Sequence, residues 1–280
     1  MSLNLGYIRE VGIVKWALRT YLQQISERIL RRDNVLRLPT GLDIRLPRNL
    51  SVSEILVTNA DIDWGAEALF TRFLDRDGVF LDVGAHVGYY SLYVLPRVAH
   101  VFAFEPDPRN LPALEWNLNR FPNATIIRKA VSSVSGTSTF VRMRDSSLGH
   151  VRRPDSSDSG DCDSLEVETT TLDDFVEHAP WRVTGIKTDV EGGDRDVLAG
   201  AEKLMRRDAP LLLAELTYTS ELGAWLSTLG YTTYAFTRQR RTRRLTFARI
   251  GLANADLTKM LFLVPRRLES EFVALAGASH

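Results

Sequence analysis

Short runs of apolar residues alternate with amphipathic helical patterns between residues 79 and 264. This alternation is typical of stacked β-α-β units, in which each buried strand is followed by a helix that crosses over the sheet. We therefore predict an α/β protein with a Rossmann-like, seven-stranded, mostly parallel sheet that has an antiparallel edge strand. The predicted strands are Val79–Val83, Val101–Glu105, Thr125–Ala130, Gly185–Thr188, Leu211–Glu215, Thr232–Phe236 and Met260–Val264.

A further pair of strands is predicted beside this series. Thr137–Met143 and Leu165–Thr171 flank the stretch Arg144–Ser164, which is rich in serine, aspartate and glycine. Such a composition is typical of a mobile surface loop, and many loops of this kind carry function. The stretch is therefore a candidate lid over a ligand site.

The residues before the sheet predict accessory elements. Apolar positions recur at a loosely helical spacing in residues 1–30, but charged residues interrupt them too often for an export signal or a membrane span. This pattern predicts an amphipathic helical arm that packs on the core, joins two copies in a homodimer or docks on a membrane surface. The alternation in Leu38–Pro47 predicts a small antiparallel hairpin, and Asp63–Asp75 has a helical pattern.

These patterns divide the chain into three parts. Residues 1–76 form the helical arm and hairpin cap, residues 77–267 the sheet-containing domain, and residues 268–280 a tail. The 35 basic residues balance the 35 acidic residues, so no overall field attracts nucleic acid. Cys162 is the single cysteine, which fits a reducing compartment, and we predict a cytoplasmic protein.

The strongest chemical signal is a glycine turn at the end of the first strand. Asp82, Gly84 and Gly88 follow a buried strand and precede a helical pattern. Their spacing lacks the close glycine pair with which dinucleotide sites hold a pyrophosphate. A carboxylate here repels a pyrophosphate but attracts the positive ammonium and sulfonium groups of S-adenosylmethionine, while Gly84 lets the backbone approach the ligand. The turn therefore favours S-adenosylmethionine.

A second carboxylate ends the following strand. Glu105 stands before Pro106, at the place where a β-α-β unit presents an acid to a ribose. A carboxylate there accepts hydrogen bonds from two ribose hydroxyls. The alternative is an exposed acid that caps the helix near Asn110. Together, the glycine turn and this acid are a more specific signal than either alone.

These residues and several later segments resemble the FkbM-type methyltransferases, whose members methylate hydroxyl groups of polyketides and sugars. The resemblance runs from Val79 to Pro265 and is carried by DVGAHVG at 82–88, FEP at 104–106, KAVS at 129–132 with Gly136, TLDDF at 171–175, IKTDVEG at 186–192, VLAGA at 197–201, Glu215, and MLFLVP at 260–265. It implies a class I methyltransferase fold and S-adenosylmethionine as cofactor. The implied cofactor-binding residues are Asp82, Gly84, His86, Gly88, Glu105, Pro106, Ser132 and Asp189.

Two positions depart from the family pattern. His86 stands where asparagine is usual, and Gly193 with Asp194 replaces a more apolar pair that favours a helix. A histidine in a glycine turn is more often a backbone hydrogen-bond partner than a catalyst. The helix after Glu191 is expected to start a residue or two late.

Two acids follow the fourth strand of the main sheet. Asp189 and Glu191 face one side if the strand continues, and either is the first candidate for the base that removes a hydroxyl proton during methyl transfer. A carboxylate is a weak base for an alcohol, so burial must raise its pKa or a metal must acidify the alcohol. With Glu215, the pair offers oxygen ligands to a divalent ion such as magnesium. Alternatively, Glu191 caps the next helix and Asp189 holds the strand end.

The acceptor side carries weaker signals. His150, in the polar loop, is a second candidate base, and the arginine-rich segment 238–244 is either a solvated hairpin tip or a holder for an anionic part of the acceptor. We predict an S-adenosylmethionine-dependent O-methyltransferase that acts on a small-molecule sugar or polyketide hydroxyl rather than on nucleic acid. The alternatives are a nicotinamide-dependent oxidoreductase, which the glycine spacing disfavours, and a non-catalytic cofactor-binding scaffold, which the retained carboxylates disfavour.

Overall fold

A computed structural model describes residues 12–24, 33–48, 50, 52–143, 146–152, 163–239, 244–251 and 257–278. The strands are β1 Asn34–Arg37, β2 Asp43–Leu46, β3 Val79–Val83, β4 His100–Phe104, β5 Ala124–Ile127, β6 Ala130–Val131, β7 Gly136–Arg142, β8 His150–Val151, β9 Asp163–Thr170, β10 Val183–Thr188, β11 Leu211–Ala214, β12 Tyr231–Arg238, β13 Leu245–Arg249, β14 Leu257–Thr258 and β15 Leu261–Pro265. The helices are α1 Ile13–Gln24, α2 Ser53–Thr58, α3 Ala66–Thr71, α4 Tyr89–Val94, α5 Leu111–Leu118, α6 Leu172–Phe175, α7 Asp194–Ala199, α8 Glu202–Asp208, α9 Ser220–Thr228 and α10 Glu269–Ala278.

The main sheet has the predicted α/β architecture. Its strand order is β13-β12-β15-β11-β10-β3-β4-β5, and β14 pairs with β12 outside this path. Strands β5, β4, β3, β10 and β11 are parallel, and β12 runs in the same direction because β11 and β12 are both antiparallel to β15. The α/β fold with a large, mostly parallel sheet is therefore confirmed.

The number and placement of the outer strands differ from the prediction. The sheet has nine strands in the described part of the chain rather than seven, because β13 and β14 also pair with β12. The last predicted strand, β15, lies between β11 and β12, and the antiparallel strand at the edge is β13. Strand β13 was not predicted from the sequence, because its five residues directly follow the arginine-rich segment.

One predicted strand is divided between two sheets. Thr125–Ala130 was expected to be continuous, but β5 ends at Ile127 and β6 begins at Ala130 and pairs with β9. A four-stranded sheet of order β6-β9-β7-β8 results. The predicted strand pair is confirmed in this sheet, since β7 and β9 pair antiparallel over seven positions from Gly136↔Thr169 to Arg142↔Asp163.

Helices cover both faces of the main sheet, and alternate strand residues point to opposite faces. Phe80 joins the cluster that packs under α3, α4, α5 and α10, whereas Leu81 joins the cluster under α6, α7, α8 and α9. This three-layer arrangement buries every residue of β3, β10, β11 and β15. Strands buried on both faces leave only their carboxyl ends and the following loops to meet a ligand.

The hairpin and part of the arm are described. Strands β1 and β2 pair antiparallel as predicted, with buried Ile44 and Leu46, and Asn117 of α5 exchanges hydrogen bonds with the backbone of Arg45. Residues 13–24 of the arm are helical, whereas residues 1–11 and 25–32 lie outside the described residues. None of the described helices has the length and apolar composition needed to cross a bilayer.

Two predicted loops fall largely outside the described residues. Within Arg144–Ser164, the described part includes a 3₁₀ turn at Ser146–Leu148 and strand β8, and residues 144–145 and 153–162 lie outside. The centre of the arginine-rich segment, residues 240–243, also lies outside. Its flanks form the β12–β13 hairpin, in which Arg238 is opposite Leu245.

Candidate active site

A cleft of about 680 Å³ opens at the carboxyl ends of the central strands. A crevice at this edge is where open α/β sheets bind their ligands. All but one of the site residues expected from the sequence line this cleft. They are Asp82, Gly84, His86, Glu105, Pro106, Ser132, His150, Asp189, Glu191 and Glu215.

Gly88 is the expected site residue that the cleft lining does not include. A Cβ atom on Gly88 would lie 2.9 Å from Leu114 Cδ1 of α5, and its φ is 86°. Packing of the turn against α5 and a left-handed backbone therefore account for this glycine.

The glycine turn after β3 has two left-handed residues within the cleft. Gly84 has a φ of 75°, and a Cβ there would lie 2.0 Å from the carbonyl oxygen of Asp189, so that position has no room for a side chain. His86 has a φ of 52°. Histidine and asparagine both adopt this region more readily than most residues, which explains physically how His86 replaces the family's usual asparagine. The backbone N–H of His86 donates to Glu105, a contact that does not involve the imidazole ring, so the role expected for this side chain stays a prediction.

Asp82 is fully buried at the floor of the cleft. Its Oδ2 accepts a hydrogen bond of 2.6 Å from the Ser91 hydroxyl, whereas its Oδ1 has no hydrogen-bond partner within the described residues. Burial raises the pKa of Asp82, although Lys187 and the Ser91 hydrogen bond oppose that shift. A buried carboxylate oxygen without a partner is costly, so it is poised to accept a ligand donor.

Lys187 places one positive charge among these acids. Its Nζ donates to the carbonyl oxygen of Gly84 at 2.9 Å and lies 3.4 Å from Asp189 Oδ2 and 4.0 Å from Asp82 Oδ1. Burial opposes its charged form, but the carboxylates of Asp189 and Asp82 outweigh this effect and raise its pKa. Lys187 therefore stays protonated and ties the end of β10 to the glycine turn.

Glu105 organises the loop after β4. Its carboxylate accepts hydrogen bonds from the backbone N–H groups of His86 at 2.8 Å and Asp107 at 2.9 Å, and from the Asn110 side chain at 3.3 Å. Burial raises the pKa of Glu105 to about 7 despite these donors. A carboxylate has about four lone-pair positions, so one remains for a ligand hydroxyl. Glu105 is buried, and the alternative of an exposed helix cap does not apply.

Three carboxylates converge beyond the end of β10. One oxygen each of Asp189, Glu191 and Glu215 lies within 4.8 Å of the others. Strand β10 ends at Thr188, and left-handed φ values at Glu191 and Gly192 turn the chain back. Glu191 therefore reaches the cleft because of this turn, and not because the strand continues with alternating side chains as expected. The next helix, α7, starts at Asp194, which agrees with the expected late start.

Asp189 and Glu215 share a hydrogen bond and titrate differently. Burial favours the neutral form of Asp189, but Lys187 and the hydrogen bond from Glu215 outweigh burial and lower its pKa. Partial burial and the Asp189 carboxylate raise the pKa of Glu215 to about 9. At neutral pH Asp189 is therefore ionised and Glu215 is protonated, which leaves one proton between the two side chains. A divalent cation bound by these acids would displace that proton.

The wall facing these acids contains a second polar network that the sequence did not predict. The Tyr90 hydroxyl donates to Asp63 Oδ2, and the Tyr89 hydroxyl donates to Glu67 Oε1 at 2.9 Å. The Tyr90 ring lies 5.5 Å from Lys187 Nζ, which joins the two networks. Asp63 and Glu67 occupy polar positions in a helical pattern, and such positions usually face solvent. Only the tertiary packing shows that they line or support the cleft.

Glu67 makes the stability of this wall depend on pH. Burial, followed by the nearby Asp63 carboxylate, raises its pKa from 4.5 to about 8 in the folded protein. The favourable contribution of Glu67 to the free energy of unfolding is therefore fully present below pH 4.5 and is lost as the pH rises through about 8. Glu67→Gln keeps the Oε1 acceptor without a titrating proton, so its melting temperature should exceed that of the wild type increasingly between pH 5 and about 8.5.

Thermal melting by circular dichroism at several pH values tests this expectation. The matched control is Glu177→Gln, since Glu177 is exposed on the surface. If Glu67→Gln and the wild type differed by the same amount at every pH, Glu67 would not titrate as the structure implies.

His150 lines the same cleft from β8. Its Nδ1 lies 3.2 Å from the carbonyl oxygen of Leu148, and the strand pairs with Val141 of β7. Ser132 also lines the cleft, and its backbone N–H donates to the carbonyl oxygen of Thr170. The second sheet, whose strands flank the stretch expected to cover a ligand site, therefore contributes a wall of the cleft.

The fold and the acids at its strand ends define an α/β protein of the class I methyltransferase type. Residues 82–241 match the family described as "Methyltransferase FkbM domain". The chain therefore belongs to the FkbM methyltransferase family, and the resemblance noted in the sequence is confirmed.

One curated relative gives a more specific comparison. The chain is 32% identical over 128 residues to the hexuronic acid methyltransferase AglP of Haloferax volcanii, and the match covers 45% of this chain and 51% of that protein. The chain thus spans about half the length of this curated relative. Among solved structures, the FkbM methyltransferase of Methylobacillus flagellatus is 15% identical with a TM-score of 0.45, covering 77% of this chain and 56% of that one. TrmK of M. capricolum in complex with S-adenosylhomocysteine is 10% identical with a TM-score of 0.35, covering 70% and 65%.

Proposed function

We propose that this protein transfers the methyl group of S-adenosylmethionine to a hydroxyl of a sugar-type acceptor. The observation that carries the proposal is the convergence of Asp82, Glu105 and the Asp189–Glu215 pair in one cleft of a chain that belongs to the FkbM family. Family membership supports methyl transfer. The hexuronic acid named for the relative AglP supports a sugar hydroxyl over a polyketide hydroxyl.

The residues present fit this cofactor. Asp82 Oδ1, which has no hydrogen-bond partner within the described residues, suits a positive amino-acid group, and Gly84 lines the same cleft. The space that a side chain on Gly84 would fill is taken by the Asp189 carbonyl oxygen. The remaining lone pair of Glu105 suits a ribose hydroxyl, with His86, Pro106 and Ser132 beside it. When bound, S-adenosylmethionine supplies a methyl group on a sulfonium that is already activated.

The chain's own residues then position the hydroxyl and take its proton. Asp189 is ionised, lines the cleft and accepts a hydrogen bond from Glu215, so its carboxylate can accept the proton that the hydroxyl loses. Its low pKa makes it a weak base at first. The hydroxyl proton becomes strongly acidic only as the oxygen forms its bond to the transferred methyl carbon. A weak base therefore suffices late in the step. Lys187 holds the Asp189 carboxylate in place. Glu191 and His150 are the second candidates for the base.

A divalent ion is the alternative way to acidify the hydroxyl. Asp189, Glu191 and Glu215 offer three oxygen ligands, which is a donor set that magnesium accepts. Lys187, at 3.4 Å from Asp189, already supplies a positive charge there. The neighbouring charge therefore favours the proton-sharing pair, and the metal-bound form is kept as the second candidate.

Calorimetric titration with S-adenosylhomocysteine tests the cofactor assignment. The wild type should bind it, and NADH and NADPH should give no heat of binding. Glu105→Ala should weaken the affinity by about 100-fold, equivalent to about 2.7 kcal/mol, because the ribose hydrogen bond is lost and the buried N–H groups of His86 and Asp107 lose their acceptor.

Glu105→Gln and Glu177→Ala are the matched variants. The first retains one oxygen acceptor for the buried loop, and the second removes an exposed acid of the same type. Thermal melting verifies that each variant is folded. Binding of a nicotinamide nucleotide instead of S-adenosylhomocysteine would favour the oxidoreductase, and turnover that never appears despite cofactor binding would favour the scaffold.

Two expectations from the sequence stay predictions. The balanced charge and single cysteine predict a cytoplasmic protein. The helical arm, of which α1 is described, keeps its three expected roles, which are packing on the core, contact with a second copy of the chain and docking on a membrane surface.

A further inference from the structure

A second cavity of about 640 Å³ adjoins the cleft described above. The two cavities share Glu191, Glu215, Thr258 and Lys259 in their linings. Asp189 lines the first cavity only, while its hydrogen-bond partner Glu215 lines both. The acids proposed to receive the proton therefore lie where the two cavities meet.

The linings of the two cavities have different chemistry. The first contains the glycine turn and Glu105, whereas the second contains none of these. The lining of the second cavity combines the apolar residues Leu216, Ile250 and Leu261 with polar residues. The polar residues are Glu191, Arg195, Glu215, Thr217, Tyr218, Thr219, Thr258 and Lys259. One aromatic ring, several hydroxyls and two cations are the groups that bind the polar edges and apolar faces of a sugar ring.

The ring of Tyr218 packs against Gly223, in the space that a side chain at this position would fill. A Cβ on Gly223 would lie 2.1 Å from the Tyr218 hydroxyl oxygen and 2.7 Å from Cζ. Gly223 lies within the helix α9, where glycine is unfavourable by about 1 kcal/mol relative to alanine. Packing of Tyr218 therefore explains why a glycine occupies this helical position. The ring has a defined position in the lining of the second cavity.

The volumes limit how an acceptor can lie. Ligand pockets commonly measure about 300 to 1,000 Å³. The first cleft, at about 680 Å³, must hold both S-adenosylmethionine and the sugar that is methylated. A further part of the acceptor then extends either into solvent or into a neighbouring space. The second cavity shares Glu191 and Glu215 with the first, and its lining suits a further part of a sugar-type acceptor.

We propose that the second cavity is a subsite for a second sugar ring, so that the acceptor is a glycoside of at least two sugars rather than a free monosaccharide. This inference rests on the proposed function and specifies its acceptor. The first sugar presents its hydroxyl at Asp189, and the second lies against Tyr218 with its polar groups at Thr217 and Arg195. An acidic second sugar gains a charged hydrogen bond from Arg195, because a guanidinium pairs well with a carboxylate.

Binding of two defined sugars to the complex with S-adenosylhomocysteine tests the subsite. The probes are methyl β-glucuronide and a disaccharide of two glucuronic acids, each titrated by calorimetry. The wild type should bind the disaccharide about tenfold more tightly than the monosaccharide, since a second ring adds one set of contacts. Thr217→Trp, which fills the second cavity, and Tyr218→Ala should each abolish this tenfold gain. Neither should change the affinity for the monosaccharide or for S-adenosylhomocysteine.

Ser227→Trp is the matched control, because Ser227 is exposed on α9 and is not part of either cavity lining. Equal affinities of the wild type for the two sugars would overturn the subsite while leaving the proposed function intact. So would equal losses of both affinities in Thr217→Trp. Failure of both sugars to bind a complex that still holds S-adenosylhomocysteine would overturn the sugar acceptor and the subsite together.

Discussion

Asp189→Asn is expected to lower turnover by about 100- to 10,000-fold while S-adenosylhomocysteine still binds within about threefold of the wild type. The amide cannot accept the hydroxyl proton, but it has nearly the same shape as the carboxylate. Lys187 keeps its hydrogen bond to Gly84 and its position near Asp82, so the glycine turn should persist. Rates measured with saturating cofactor, together with calorimetry, separate the chemical step from binding.

The same assay distinguishes the proton-sharing pair from the metal-bound form. Wild-type activity that survives EDTA treatment fits a proton between Asp189 and Glu215, whereas activity that EDTA removes and magnesium restores fits three carboxylate ligands. The matched control is Asp173→Asn, because Asp173 accepts backbone hydrogen bonds at the start of α8 and lines neither cavity. A wild-type rate in Asp189→Asn would remove Asp189 from the mechanism, and Glu191 would then be the next residue to test.

Gly84→Ala is expected to destabilise the fold by about 3 kcal/mol or more and to abolish cofactor binding. The new Cβ would lie 2.0 Å from the Asp189 carbonyl oxygen, and the φ of 75° is unfavourable for alanine. Relief of the clash must move the end of β10, which carries Asp189 and Lys187. For a chain of this size, such a loss lowers the melting temperature by about 6 to 12 °C.

Gly230→Ala separates the two causes. Gly230 has a φ of 78°, close to that of Gly84, but a Cβ there meets no atom within 4 Å. It should therefore show the cost of the left-handed backbone alone, about 1 kcal/mol, and leave cofactor binding unchanged. Equal melting temperatures for the two variants would mean that contact with Asp189 does not restrict position 84.

The sequence predicted those parts of the fold that local patterns determine. The strand Val79–Val83 was placed at its observed bounds, because a short and mostly apolar run between Gly78 and the glycine turn leaves little ambiguity. The acids at strand ends were identified for a similar reason, since the carboxyl ends of parallel strands meet at one edge. Their convergence in one cleft follows from the strand order, in which β10, β3 and β4 are neighbours.

The remaining parts depend on tertiary contacts that have no local signal. Strand β13 is defined by its pairing with β12, and the split at Ile127 is defined by the pairing of β6 with β9. Lys187 occupies a strand of otherwise apolar and small residues, and a lysine in a buried strand is rare enough to have suggested a paired charge. Asp63, Glu67 and Trp64 carried no comparable signal, because the contacts that place them at the cleft are made to side chains at least 22 residues away. These side chains are Tyr90, Tyr89 and Arg238.

Trp64 shows how distant those partners are. Its ring lies 4.4 Å from the Arg238 guanidinium and 5.3 Å from Lys259 Nζ, and Lys259 donates to the Ile62 carbonyl oxygen at 2.5 Å across 197 residues. A ribosome makes the chain from its N-terminus, so the wall around Trp64 emerges long before the residues that fasten it. The glycine turn after β3 also depends on a later segment, because Lys187 of β10 donates to the Gly84 carbonyl oxygen across 103 residues. During synthesis, the turn and the wall around Trp64 therefore cannot make these contacts until β10 and Lys259, respectively, have left the ribosome.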